Sequence, residues 1–351
     1  MAIIDKPSDY FNTVLYTGNA TVRSISGVGF QPDLVWIKNR TQAVSHLLFD
    51  SIRGATNRIY SDLTAAEDSN ANSLTSFDSD GFSLGTAGSS NGNTNSIVSW
   101  NWKAGTSFTN DASATGIGSI DSAGSASDAS GFSIVSYTGT GSAGTIKHGL
   151  STTPKMIIQK NRDESQPWWT YVESIGAGGQ LRLNGTNAAG SDGGVLWNST
   201  APTSSVFSVG DNTGTNGSAD KCIAYCFSEV KGYSKFGSYT GNGSASSGTF
   251  TYLGFKPSLI ILKRTDSTAD WKMYDNKRNS GSITNGNPNG RTLKPNSSAA
   301  EGNAELLDFL SNGFKHYNDN GTDNESGATY IFMAFAENPF VTSTGIPATA
   351  R

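Results

Sequence analysis

The tripeptide Tyr16-Thr17-Gly18 recurs as Tyr137-Thr138-Gly139 and Tyr239-Thr240-Gly241, each time after a short run of alternating apolar residues. Such a run followed by a glycine turn is typical of a β-strand that enters a hairpin or a loop. A pattern that returns at intervals of roughly 100 residues indicates repeated structural units. The sequence therefore predicts three related domains in a chain of 351 residues.

A second repeat follows each tripeptide. It consists of a proline and then an apolar run, rich in β-branched or aromatic residues, that ends in lysine. A proline at the start of a strand removes no donor from the sheet, and a continuous apolar run indicates a strand covered on both faces. The three copies are Pro32 with 34–38, Pro154 with 156–160 and Pro257 with 259–263.

A third repeat marks the end of each unit. Phe82, Phe207 and Phe314 each lie in a short apolar segment that predicts the penultimate strand. An aromatic residue follows each of them 18 positions later, in the segment predicted as the last strand. We therefore expect three equivalent positions in the last strands, which are Trp100, Tyr225 and Phe332.

These repeats predict an all-β protein of three tandem antiparallel β-sandwich modules, jelly-roll-like, with long polar loops. The predicted modules cover 1–105, 131–230 and 231–340. The Gly/Ser/Ala-rich segment 106–130 is predicted to be a linker, because its composition cannot bury a core. Residues 341–351 form a polar tail, and the best candidate for a short helix is 301–310, where Ala304, Leu307 and Phe309 would share a face.

The composition excludes several classes of function. Ser, Thr, Asn and Gly make up 155 of the 351 residues, the net charge is −4, and no segment concentrates Lys and Arg, so nucleic acid is not an expected partner. The sequence has no signal-peptide pattern and no apolar run of about 18 residues, so we expect synthesis in the cytoplasm and no membrane insertion. Cys222 and Cys226, four apart on a predicted strand, are too far apart for a disulfide and are expected to be buried free thiols.

The search for catalytic chemistry yields no catalytic, cofactor-binding or metal-binding residue. His46, His148 and His316 occupy different positions in the three units, and the sequence lacks a nucleophile elbow, a phosphate-binding loop and a zinc-type histidine pair. A non-enzymatic protein is therefore predicted. Calcium remains possible at 78–81 and 318–325, where Asp and Asn surround glycines, although the same residues also form turns without any ion.

Aromatic residues are the remaining functional candidates. An exposed tryptophan can stack on a sugar ring while neighbouring polar groups bond its hydroxyls, whereas a buried tryptophan only fills the core. We expect ligand contacts near the polar loops 86–96, 211–219 and 318–326. The possible glycan-contact residues are Trp168, Trp169, Trp197 and Trp271.

Several segments resemble a family of proteins, mostly of unassigned function, that marine tailed bacteriophages carry. The matching segments are 4–11, 29–38, 73–82, 100–105, 131–141, 223–236 and 275–279. The resemblance runs nearly from end to end of the chain. It implies a virion structural protein, often labelled a tail fibre or a receptor-binding component, and it supplies no catalytic motif.

Three functions are therefore weighed. The first is a tail fibre or adhesin component of a bacteriophage virion that contacts host-surface glycan. The alternative is a capsid decoration protein, a knob on the outer capsid surface, and the third is a polysaccharide depolymerase. The expected partners are other virion proteins of the tail or capsid, and the expected assembly is a homo-oligomer, most simply a trimer.

Overall fold

The structure is a computed structural model that describes residues 3–278, 290–303 and 307–347. In these residues the protein is all-β, as predicted, and consists of antiparallel β-sandwiches. We call residues 3–105 unit 1, residues 106–230 unit 2 and residues 231–347 unit 3. In each unit the larger sheet is called the inner sheet and the smaller one the outer sheet.

Unit 1 packs a four-stranded inner sheet, in the order β1-β9-β3-β4, on a three-stranded outer sheet, β2-β8-β7. The first strands and the last strands alternate between the two sheets, as in a jelly roll. The unit also contains the pair β5-β6. Its elements are a 3-10 turn (Pro7–Asp9), β1 (Phe11–Thr17), β2 (Arg23–Ser26), β3 (Leu34–Asn39), β4 (Leu47–Asp50), β5 (Asn57–Arg58), β6 (Asp68–Ser69), β7 (Leu74–Asp78), β8 (Gly81–Leu84), α1 (Gly88–Asn91) and β9 (Ser96–Trp102).

Unit 2 has a six-stranded inner sheet, β10-β11-β12-β19-β14-β15, an outer pair β13-β18 and a further pair β16-β17. The prediction of a linker at 106–130 is wrong over β10 and β11. These small residues bury no core of their own, but they form a hairpin that extends the inner sheet beside β12. The elements are β10 (Thr106–Asn110), α2 (Ala112–Thr115), β11 (Ser122–Ser127), β12 (Phe132–Thr138), β13 (Gly144–Lys147), β14 (Met156–Asn161), β15 (Trp169–Val172), β16 (Gly179–Gln180), β17 (Gly190–Ser191), β18 (Val206–Val209), α3 (Thr213–Asn216) and β19 (Lys221–Phe227).

Unit 3 repeats the arrangement of unit 1, with an inner sheet β20-β28-β22-β23, an outer sheet β21-β27-β26 and the pair β24-β25. The predicted helix at 301–310 is wrong where the structure describes it, because Leu307 and Phe309 alternate inward on strand β26. Ala304 lies outside the described residues. The elements are β20 (Ser234–Thr240), β21 (Phe250–Tyr252), β22 (Phe255–Arg264), β23 (Lys272–Asp275), β24 (Arg291–Thr292), β25 (Gly302–Asn303), β26 (Leu307–Leu310), β27 (Gly313–His316) and β28 (Thr329–Pro339).

The central strands of each inner sheet are buried on both faces, as the continuous apolar runs predict. On β3, Val35 and Ile37 pack against the outer sheet of unit 1, while Leu34 and Trp36 face the opposite way. There they join residues of units 2 and 3 in one central core. At its centre, a cavity of about 10 Å³ lined by residues of all three units leaves room for no more than one water molecule.

The three units form a closed ring, because the same contact occurs between units 1 and 2, units 2 and 3, and units 3 and 1. We call each contact a joint, and we call β3, β14 and β22, which are equivalent in the three units, the β3-type strands. In each joint, a backbone N–H of one unit donates to the carbonyl of the residue that follows the β3-type strand of the next unit. Equivalent head-to-tail contacts that close in this way give pseudo-threefold symmetry. The donor–acceptor pairs are Glu67 to Arg162 (2.7 Å), Ala189 to Thr265 (2.8 Å) and Glu301 to Arg40 (2.9 Å).

Among the described residues, buried ion pairs occupy two of the three joints. At the joint of units 1 and 2, Arg53 Nε donates to Asp50 Oδ2 (2.5 Å), Tyr225 Oη donates to the same carboxylate (2.7 Å), and Glu67 binds both Arg53 and Arg162. Burial alone would raise the pKa of Glu67, but the hydrogen bond from Arg162 and the charge of Arg53 hold it below its usual value.

The joint of units 3 and 1 has the same set of charges. Arg278 binds Asp275 (2.5 Å) and Glu301, Glu301 binds Arg40, and Trp100 Nε1 donates to Asp275 (2.9 Å). At the joint of units 2 and 3, the strand register and the repeated backbone bond place neutral residues at these positions. They are Val172, Ile175, Ala189, Thr265 and Met333.

The register corrects one predicted equivalence. Trp100 pairs with Trp36, Tyr225 pairs with Ile158, and the matching residue of β22, Ile261, pairs with Met333. Met333 is therefore the equivalent of Trp100 and Tyr225, and it lies in the central core. Phe332 points to the sandwich core of unit 3 instead. The repeat of 18 residues is wrong by one position in unit 3 because a one-residue shift reverses the face of a strand.

The repeated Tyr-Thr-Gly motif fixes a loop in each unit. Each tyrosine hydroxyl donates to a backbone carbonyl of the loop before the last strand, and each glycine approaches that loop so closely that no Cβ would fit. The hydrogen bonds are Tyr16 to Ser90 (2.8 Å), Tyr137 to Thr215 (2.6 Å) and Tyr239 to Asp323 (2.7 Å). A Cβ on Gly18, Gly139 or Gly241 would lie 2.1, 2.2 or 2.3 Å from a carbonyl oxygen.

Cys222 and Cys226 are free and buried, which confirms the prediction for both. Both side chains lie in the sandwich core of unit 2, and burial raises the pKa of each thiol to about 12. In the described part of the chain, no helix has the length and apolar character needed to cross a membrane.

Candidate functional site

Two of the predicted glycan-contact residues are buried in joints. Trp168 Nε1 donates to the carbonyl of Tyr60 across the joint of units 1 and 2 (2.7 Å), and Trp271 Nε1 donates to that of Arg182 across the joint of units 2 and 3 (2.9 Å). Their exposed fractions are 0% and 1%. The prediction that these rings contact glycan is therefore wrong, because neighbouring units cover both of them.

The other two predicted residues fill the sandwich core of unit 2. Trp169 is 6% exposed and lies under the Arg182 guanidinium, whose carbon is 4.9 Å from the ring centre. Trp197 is 2% exposed and packs edge to face on Tyr171. Trp168 and Trp169 do point to opposite sides of their strand, but both sides of an inner sheet are covered, so neither ring presents a face to a sugar.

The polar loops predicted to bind a ligand are held by buried asparagines. Asn216, in the loop 211–219, donates from Nδ2 to the carbonyls of Ser142 and Gly210, both at 2.7 Å, and its Oδ1 accepts from the N–H of Thr140 (2.8 Å). Asn91 and Asn324 make the equivalent bonds in units 1 and 3. The three loops therefore stabilise the Tyr-Thr-Gly turns through side chains that are not available to a ligand.

In the two clusters considered for calcium, side-chain oxygens accept hydrogen bonds from backbone N–H groups and hold the turns. Asp80 accepts from the N–H groups of Gly29 (2.6 Å) and Gly27 (3.0 Å), and these bonds lower the pKa of its carboxyl group. In the second cluster, Asn320 accepts from the N–H of Thr322 (2.8 Å). Within the described ranges, no group of three or more His, Cys, Asp or Glu side chains is placed to hold a metal ion.

An exposed aromatic surface lies on the outer sheet of unit 3. Phe250 and Tyr252, two residues apart on β21, are 44% and 54% exposed, and Tyr317 at the end of β27 is 42% exposed. Thr251 between them points inward and is 8% exposed. We call the outward side chains of Phe250, Tyr252 and Tyr317, together with Lys235 and Lys315, the aromatic face.

The two lysines of the aromatic face lie against its tyrosine rings. Lys235 Nζ is 5.4 Å from the ring centre of Tyr252 and donates to that residue's carbonyl (2.9 Å). Lys315 Nζ is 5.1 Å from the ring centre of Tyr317, and Lys315 pairs with Phe250 across the strands. Asp308 lies opposite Lys315 on β26 and adds one negative charge. The face thus combines flat apolar rings with two ammonium groups.

The aromatic face has no counterpart in the other two units. The register matches Thr251 to Ile25 of unit 1 and to Ile146 of unit 2, so the outward positions can be compared directly. Where unit 3 has Phe250, Tyr252 and Lys315, unit 1 has Ser24, Ser26 and Ser83, and unit 2 has Thr145, Lys147 and Ser208. Sequence reasoning missed this face because it searched among tryptophans. Aligning the three repeats shows it as two aromatic residues at outward positions.

Comparison with known proteins gives a family without an assigned activity. The sequence profile of a family described as a domain of unknown function, DUF7483, matches residues 6–339. No curated protein matches the chain. Since the match covers almost the whole sequence, the chain belongs to the DUF7483 family.

Proposed function

We propose that this DUF7483 protein is a non-enzymatic structural component of a bacteriophage virion, a tail fibre or adhesin that contacts host-surface glycan. The observation that carries this proposal is the aromatic face. Of three equivalent outer sheets, one presents exposed rings where the others present Ser, Thr and Lys. Exposed aromatic rings beside polar groups are a common platform for sugars.

The ring of units supports a role as a rigid head. Buried charges and tryptophans fix the joints, and a single core connects all three sandwiches. An adhesin gains affinity when its binding surface is ordered before contact, because less conformational entropy is lost on binding. The bacteriophage assignment rests on the sequence segments that resemble virion proteins.

Virion labelling tests the location. Antibody raised against the full chain and visualised by electron microscopy should mark the tail of the virus that encodes the protein. Label on the head would contradict the tail fibre and support capsid decoration, and absence of the protein from purified virions would contradict both.

Glycan binding and assembly are tested on the purified full-length protein. A glycan array should give signal for host-surface saccharides, without release of reducing ends on incubation with the bound polymer. Release of reducing ends would support a depolymerase instead. Light scattering measures the assembly, which we propose to be a trimer with three times the chain mass of 36.8 kDa.

A further inference from the structure

We propose that the aromatic face binds a polysaccharide that carries carboxylate groups. This inference rests on the proposed contact with glycan and names the class of sugar. Phe250 and Tyr252 stack on neighbouring sugar rings, and Lys235 and Lys315 pair with the carboxylates.

The spacing of the rings suits an extended chain of sugars. Phe250 and Tyr252 lie on the same side of β21 at positions i and i+2, about 7 Å apart along the strand. Both expose about half of their surface, so part of each ring is open to a ligand. An extended polymer lying along the strand meets one ring after the other.

The lysines give the face its preference for charge. Among the residues that the structure describes, two ammonium groups border the rings, and one carboxylate, Asp308, lies on the same side of the sheet. The face therefore has an excess of positive charge although the whole chain has a net charge of −4. Because each ammonium group lies over a tyrosine ring of the face, it is close enough to a sugar bound there to pair with a carboxylate on that sugar.

The other units supply the matched variant. Phe250→Ser with Tyr252→Ser gives the outer sheet of unit 3 the residues that unit 1 has at Ser24 and Ser26. Because about half of each side chain is exposed and neither belongs to a core, this variant should fold like the wild type. Lys235→Gln with Lys315→Gln removes the charge and leaves the rings. Leu15→Ser removes an exposed apolar residue of unit 1 and is the control.

Binding is measured by affinity electrophoresis through polygalacturonate, polymannuronate or hyaluronate, and through methyl-esterified polygalacturonate, in which the carboxylates are neutral. The wild type should be retarded by at least one acidic polymer, and added salt should reduce the retardation. We expect the serine variant to lose at least tenfold in affinity and the glutamine variant to lose its preference for the acidic polymer. Leu15→Ser should match the wild type.

Five outcomes would overturn the inference. Equal binding of esterified and acidic polymer, or unchanged binding by the glutamine variant, shows that charge is not recognised. Glycan-array signal without binding to any acidic polymer refutes the inference but leaves the proposed function standing, whereas absence of all glycan binding refutes both. If the serine variant instead dissociates an oligomer, the face is a contact between copies of the chain.

Discussion

The joint of units 1 and 2 and the joint of units 2 and 3 share their backbone contact and a buried lysine, but they differ at five other side-chain positions. The first holds Asp50, Arg53, Glu67 and Arg162 around the hydroxyl of Tyr225. The second has uncharged residues at all five positions, and the joint of units 3 and 1 again has the full charged set. Each joint therefore has either the complete charged set or uncharged residues at all of its positions. Removing one partner of a buried ion pair leaves an uncompensated charge, whereas an apolar set can replace the whole pair.

Removing one member of the charged set should have the largest effect. Arg53→Ile leaves the buried Asp50 carboxylate without its ion pair, and we expect it to lower the free energy of unfolding by about 3–5 kcal/mol. Arg278→Ile at the joint of units 3 and 1 should cost a similar amount. Denaturant unfolding followed by tryptophan fluorescence measures both. A loss below about 1 kcal/mol at either joint would show that the pair is not a required part of the set.

Removing a single hydroxyl should have an intermediate effect. Tyr225→Phe deletes the donor 2.7 Å from Asp50, and a hydrogen bond to a buried charge contributes about 1.5–3 kcal/mol. Tyr233→Phe is the matched control. Tyr233 is also buried in the central core, and its hydroxyl has no hydrogen-bond partner within the described part of the chain. Its loss should be neutral or stabilising, so equal losses in the two variants would contradict the assigned role of Tyr225.

Exchanging the whole set should cost less than removing one arginine. A variant with Asp50→Val, Arg53→Ile, Glu67→Ala, Arg162→Thr and Tyr225→Met copies the joint of units 2 and 3. Since well-packed apolar residues often replace a buried ion pair without loss, we expect stability within about 2 kcal/mol of the wild type. A five-residue variant less stable than Arg53→Ile alone would show that the two kinds of joint differ in backbone geometry as well as in side chains.

The fold was largely predictable because each of the three repeats must meet the same physical requirements. A strand covered on both faces must be continuously apolar, and the Tyr-Thr-Gly turns need a glycine where a loop carbonyl approaches within 2.1–2.3 Å of a Cβ position. The strands of 106–127 were not predictable from composition. Their residues gain stability from backbone pairing of β10 with β11 and of β11 with β12, which depends on the partner strands and cannot be read from composition.

The type of candidate site, an aromatic platform, was predictable from the sequence, but its residues were not. Tryptophan was expected to be a platform for sugars, but Trp168 and Trp271 project across joints. No pattern in the sequence indicates that the three units close into a ring. Whether a tryptophan is exposed depends on which surfaces the neighbouring units cover, and those contacts join residues that are far apart in the sequence. Phe250 and Tyr252 carry a local signal, since the register of the three repeats assigns both to the outward side of β21.

The lysine at the end of each β3-type strand is common to all three joints and should have the smallest effect. Lys38, Lys160 and Lys263 each donate from Nζ to a carbonyl of the neighbouring unit, that of Ser298 (2.8 Å), Thr64 (3.1 Å) or Thr186 (3.3 Å). Burial lowers the pKa of each ammonium group to about 8 from its ordinary value of 10.5. Between these values the unfolded chain binds more protons than the folded one, so stability rises with pH in this window.

Each lysine contributes part of this increase in unfolding free energy with pH, and we expect the corresponding Lys→Met variant to lack that part. With solvent screening included, the part is under about 1 kcal/mol between pH 7.5 and 9.5. The measurement is the wild-type minus variant difference in unfolding free energy at the two pH values. Titration of the two cysteine thiols affects both proteins equally and cancels in that difference. Because the lysines do not depend on the charged set, the three variants should behave alike. A response confined to Lys38 and Lys160 would show that the charged joints, and not burial by the ring, control these lysines.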